Sequence, residues 1–210
     1  MYPDFKELLL EFNAHGVKYL IVGGYAVSFH GEPRATKDLD LFIKSDPENA
    51  RAAHSALAKF GAPVESVTAA DLAEPGSFFR MGTPPVMVDI LPTIRGVDFD
   101  DAWQRRVNVR VDDELVVPII SREDLLSSKL AVGRAQDLAD AEALEKFRGL
   151  QEAAPPLDSV SVVFESIEER QSRAARKWHS HTQRAEHAPD LSKDAPEHNQ
   201  EHSPDDDLEI

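Results

Sequence analysis

The chain has 210 residues and no cysteine, and its 38 Asp+Glu against 23 Lys+Arg give a formal charge of -15. This length suits one domain with a sizeable core plus appendages, and the charge argues against broad electrostatic attraction to a nucleic-acid backbone. The missing thiols exclude a disulfide framework and a thiolate metal site, and no stretch has the apolar length of a membrane span or the uninterrupted core of a secretion signal. A soluble, cytoplasmic protein is therefore expected.

Phe5, Leu8, Leu9 and Phe12 recur at helical spacing between Asp4 and His15, and Gly16 is a natural stop. The apolar run Tyr19-Leu20-Ile21-Val22 reads as a buried strand that ends on Gly23-Gly24, with a helix starting near Tyr25. Two glycines at a helix start let backbone N–H groups approach an anion closely, which is the outline of a phosphate cradle. After Gly31-Glu32-Pro33 the chain runs Arg34, Thr36, Asp38, Leu39, Asp40, Leu41. Strand alternation sets Asp38 and Asp40 on one face and Leu39, Leu41 and Ile43 on the other. A lone Gly-Gly is usually a turn and a lone Asp-x-Asp usually a solvated strand face. Their succession is more telling, because like charges side by side on a strand repel unless a cation neutralises them.

Ser45-Asp46-Pro47-Glu48 predicts a helix start, with Ala52, Ala56, Leu57 and Phe60 as its buried stripe and Gly61 as its end. Residues 62 to 76 have no firm period. Two β-rich runs follow, Ser77 to Met81 and Val86 to Leu91, around a Gly82-Thr83-Pro84-Pro85 turn. Asp89 breaks the second run, and a charge there needs a partner or a metal. It could pair with Arg80 across the hairpin, cap a strand end, or join Asp38 and Asp40.

A short helix carrying Phe99 and Trp103 and a second hairpin, Val107 to Val111 with Leu115 to Ile120, come next. Ser121-Arg122-Glu123-Asp124 has capping-box grammar and opens a helix. After Gly133 a further helix from Gln136 to about Leu150 is expected to turn Leu138, Ala141, Leu144 and Phe147 inward. Pro155-Pro156 then breaks the chain, and the apolar stripe from Val160 to Trp178 predicts an amphipathic helix in need of a partner surface. Residues 151 to 210 hold 14 Asp+Glu and 6 Lys+Arg, so this stretch carries -8 of the -15. The organisation expected is a domain over 1–150, a linker and amphipathic helix over 151–186, and a disordered acidic tail over 187–210.

Gly23-Gly24, thirteen intervening residues and Asp38-x-Asp40 resemble the signature of the DNA polymerase β-like nucleotidyltransferase superfamily. Gly-Gly-x-Ala followed by Arg-x-Thr-x-Asp-Leu-Asp-Leu is most similar to small bacterial members related to abortive-infection and toxin–antitoxin nucleotidyltransferases. The string KLAVGRAQDLAD, Lys129 to Asp140, resembles a further feature of that group, a lysine followed by Arg-x-x-Asp-x-x-Asp on a helix pair behind the cleft. The likeness covers about residues 1 to 150. It implies an α/β (α+β) fold with a mixed central sheet flanked by helices, and transfer of a nucleoside monophosphate from an NTP to a hydroxyl.

It also implies the site. Asp38 and Asp40 would hold two Mg²⁺ ions and Asp89 would complete the set, all hard oxygen donors. Gly23, Gly24, Arg34, Thr36, Lys129 and Arg134 would meet the nucleotide phosphates. Asp137 would act there, hold Arg134, or cap its helix. Many members have serine where this chain has Gly24, and Thr36 is the nearby hydroxyl. The acceptor would be a protein side chain or a tRNA end. Two other readings are a small-molecule acceptor, as in aminoglycoside-modifying relatives with an acidic pocket, and a partner-binding module without catalysis.

Overall fold

The computed structural model describes residues 1–31 and 36–151. The expectations for Arg34, for the stripe from Val160 to Trp178 and for the tail over 187–210 lie outside the described residues. Helix α1 (Pro3–Ala14) starts on a proline, which has no N–H to leave unsatisfied there, and buries Phe5, Leu8, Leu9 and Phe12. Strand β1 (Tyr19–Val22) is buried along its whole length. It runs without a loop into α2 (Gly23–His30), two residues earlier than the sequence pattern suggests.

Strand β2 (Leu39–Ile43) returns antiparallel to β1. Helix α3 (Pro47–Phe60) is capped by the Asp46 carboxylate, which accepts the Asn49 N–H, and ends at Gly61 in the left-handed region. A 3-10 turn at Asp71–Ala73 interrupts the connection to the hairpin of β3 (Phe79–Thr83) and β4 (Val86–Leu91). Helix α4 (Phe99–Arg105), the hairpin β5 (Val107–Arg110) and β6 (Val116–Ile119), and the helix pair α5 (Arg122–Val132) and α6 (Ala135–Gln151) complete the described chain.

The six strands form one sheet in the order β3-β4-β2-β1-β6-β5. Each sequential hairpin is antiparallel, whereas β2 pairs β4 and β1 pairs β6 in parallel, so the sheet is mixed as expected. Its two faces differ in kind. On one, Tyr19 meets Phe12 edge-on and bonds Asn13 of α1, and α1 packs on α3, sealing Ile21, Leu41 and Ile43. On the other, Phe42 is covered by Phe99 of α4, and Asp40 lines a cleft shared with α5. No helix among the described residues is long and apolar enough to cross a membrane.

One packing expectation is corrected. Leu138 is 50% exposed, while Asp140, Ala141 and Leu144 are buried. Helix α6 is rotated so that its inward stripe includes aspartates. The reason is an ion pair with α5, described below.

Candidate active site

The cross-strand register sets four side chains in one row. Val22 of β1 lies opposite Asp40 of β2, Asp40 beside Asp89 of β4, and Asp89 opposite Arg80 of β3. Directly paired residues project to the same face of a sheet, so Asp40, Asp89 and Arg80 share the face next to the glycine bend. Asp38 sits just before β2 and its carboxylate accepts the Met87 N–H at 3.3 Å, which ties it to β4. Asp89, far along the chain, thus reaches the region of Asp38 and Asp40.

Burial and charge repulsion both act on this group. Burial first, then the neighbouring Asp89 and Asp38 carboxylates, push Asp40 up to about 6, partly offset by the Gly24 N–H bonded to it and by Lys129. Asp89 is answered by Arg80, whose Nε and Nη2 each lie 2.6 Å from one carboxylate oxygen. The guanidinium is held strongly in its charged form by that bond, with Asp38 and Asp40 adding to the attraction. The cross-hairpin pair with Arg80, one of the alternatives open for Asp89 in the sequence, is formed, and Asp89 also lies beside Asp40. Among the described residues no three acidic or imidazole side chains are gathered closely enough to cage an ion.

A divalent cation suits this donor set in chemistry. The donors are carboxylate oxygens, their mutual repulsion is unrelieved at Asp40, and the positive charge now offsetting Asp89 is a movable, half-exposed arginine. Asp38, Asp40 and Asp89 are the residues able to hold it.

The glycines are required by shape. Gly23 has φ +60°, and a Cβ there would overlap the Asp40 carboxylate. A Cβ on Gly24 would fall on the Thr36 hydroxyl and 2.9 Å from Thr36 Cβ. Thr36 therefore fills the space that a side chain at position 24 would occupy, and carries a hydroxyl into it.

A cleft of about 480 Å³ opens in front of Val22, Gly23 and Asp40, with Lys129, Arg134 and Asp137 on the helix-pair side, whereas Gly24, Thr36, Asp38 and Asp89 do not line it. Lys129 lies 2.9 Å from Asp137 Oδ1 and 2.9 Å from Asp140 Oδ2, with Gln136 bonding the other Asp140 oxygen at 3.0 Å. Asp137 thus engages Lys129, not Arg134. The pair locks α5 to α6 and explains the rotation of α6.

Two features escaped sequence reasoning. Asp124 is buried and bonded to both Ser121 and the Arg105 guanidinium, so the capping-box position also clamps α4 to α5. Its carboxyl stays below the ordinary range because the Arg105 and Ser121 bonds outweigh its burial. Arg95, on the loop after β4, lines the cleft with no motif to mark it.

A strand running straight into a glycine-led helix, with Asp40 of the next strand facing the same cleft, is consistent with a nucleotidyltransferase fold. The family model described as "Nucleotidyl transferase AbiEii toxin, Type IV TA system" matches residues 7–208, and the chain belongs to that family. It is accordingly an NTP-dependent nucleotidyltransferase of the toxin–antitoxin type. Among curated proteins no sequence matches the chain.

Proposed function

We propose that the chain transfers a nucleoside monophosphate from an NTP to a hydroxyl of a macromolecule, a protein or a tRNA, with Mg²⁺ held by Asp38, Asp40 and Asp89. The observation that carries this reading is the in-register row of Asp40, Asp89 and Arg80 beside the Gly23 bend, with Asp40 pushed up to about 6 by burial and then by its acidic neighbours. Such repulsion weakens the fold, and a site that keeps it has a use for the charges. When bound, two Mg²⁺ ions would acidify the attacking hydroxyl and offset charge on the triphosphate.

The chain's own groups have separate tasks in this reading. Gly23 and Gly24 leave room for the Asp40 carboxylate and for Thr36 at the start of α2, and Gly24 N–H holds the Asp40 carboxylate in line. Thr36 offers a hydroxyl at the same bend. Arg134 faces the cleft from the α5–α6 junction and offsets negative charge there, with Arg34 of the preceding loop assigned the same task from its place in the motif. Lys129 contacts substrate only by giving up part of its bonding to Asp137 and Asp140, so its first duty is to fix the helix wall.

The test is incubation of the protein with each α-labelled NTP, Mg²⁺, and either tRNA or a lysate of cells lacking the protein. Label is expected on an RNA or protein band and is expected to vanish for the Asp38→Ala/Asp40→Ala variant. Equal labelling by that variant would remove these carboxylates from the reaction.

A further inference from the structure

The charge of the cleft is not settled by the residues named so far. Lys129 already faces two carboxylates, so its charge is engaged within the helix pair. A nucleoside triphosphate carries several negative charges of its own. Lys129 alone would leave them without a free counter-charge in the cleft.

Two cations offset this. Among the described residues lining the cleft, Arg95 and Arg134 have no carboxylate within ion-pair distance, and neither guanidinium takes part in a hydrogen bond or ring contact. They come from different segments, Arg134 from the α5–α6 junction and Arg95 from the loop that leaves β4 six residues after Asp89. In an acidic chain whose Lys6, Lys44, Arg80, Arg105 and Lys129 are all paired, an unpaired arginine facing this cleft is available for an anion.

Arg95 is also carried on a fixed support. Ile94 and Val97 bridge each other, so Arg95 and Gly96 form the tip of a tight turn. Gly96 has φ +76° and lies against α5 so closely that a Cβ would come within 2.8 Å of Ala131 Cβ and 3.2 Å of the Ser127 carbonyl oxygen. The turn is thereby seated on the helix that carries Lys129. A cation on a seated turn loses less freedom on binding than one on a loose loop.

We propose that Arg95 is a binding residue for the polyphosphate tail of the nucleotide, acting with Arg134. This rests on the reading of the cleft as the nucleotide site. The test is equilibrium binding to the full chain of the four nucleoside α,β-methylene triphosphates, whose α–β bridge cannot be cleaved, together with the matching monophosphates and inorganic pyrophosphate. Wild type is compared with Arg95→Gln and Arg95→Lys, with unchanged melting temperature as the control for folding.

For Arg95→Gln the expected result is about tenfold or greater weakening toward the triphosphates and pyrophosphate, the loss of one charge-assisted contact. Monophosphate binding is expected to change by less than about twofold, and Arg95→Lys to recover part of the loss. Unchanged triphosphate binding in Arg95→Gln overturns the proposal. Equal weakening for mono- and triphosphates overturns the assignment to the tail. If wild type binds no nucleotide at all, the reading of the cleft fails and the proposal falls with it.

Discussion

Arg80 grips Asp89 with two parallel bonds of 2.6 Å, directly beside an Asp40 that has no such partner. The pairing follows from the hairpin register, which sets residues 80 and 89 opposite each other. One of the three acidic residues is thus neutralised by the protein itself while its neighbour pays for crowding. The guanidinium is 52% exposed and the carboxylate 11%, so the arginine can withdraw to solvent while Asp89 stays.

The first prediction concerns that grip. In chelator, Arg80→Met is expected to melt below wild type, because it leaves Asp89 without a counter-charge next to two other carboxylates. Added Mn²⁺ is expected to raise the melting temperature of the variant more than that of wild type, since the ion no longer competes with the arginine. Equal shifts for the two proteins in a thermal-melt series would show that Arg80 and the cation do not share a site.

The second concerns Asp40 and pH. Its carboxyl is raised from 3.8 to about 6. Between those values the folded chain keeps a proton that the unfolded chain has released, so stability falls as pH rises through the window and stays lower above it. Asp40→Asn is therefore expected to be more stable than wild type at about pH 7.5 without divalent ions, by roughly 2 kcal/mol, with the gap closing near pH 4. Denaturant melts at the two pH values check it. A less stable variant at the higher pH would contradict the crowding.

The third concerns the space between Gly24 and Thr36. Gly24→Ser is expected to weaken nucleotide binding and lower the melting temperature, because its Cβ would collide with Thr36. Thr36→Gly in the same chain is expected to restore most of both. A double variant no better than the single would show that the two positions do not share that volume.

The fourth separates structure from chemistry at Lys129. Removing it leaves Asp137 and Asp140 facing each other across a mostly buried junction, so Lys129→Met is expected to cost about 3 kcal/mol of stability. Lys129→Met with Asp137→Leu and Asp140→Leu is expected to recover much of that loss without recovering nucleotidyl transfer. Recovery of activity with stability would assign Lys129 a purely structural role.

Much of this was legible in the sequence. Amphipathic spacing marked α1 and α3, and the glycine pair marked the end of β1, since these signals depend on neighbours along the chain. The alternation through Leu39, Asp40 and Leu41 was also legible, whereas Asp38 lies just before the strand. Leu138 misled because a period of apolar residues was read as the buried stripe, whereas the Lys129 pair drew Asp140 inward and turned Leu138 to solvent. Arg95 gave no signal, as an arginine in a loop means nothing until its turn is seated on α5. The choice of Arg80 as the partner of Asp89 needed the hairpin register, which depends on how the turn is made.

The central claim is that the acidic row holds a divalent cation facing the glycine bend. Crystals grown with Mn²⁺ and an uncleavable NTP analogue, examined by anomalous scattering, test it most directly. The account predicts a peak bonded by Asp38 and Asp40, with Asp89 turned to it and Arg80 withdrawn. A peak elsewhere, or none with Arg80 still clasping Asp89, would contradict it.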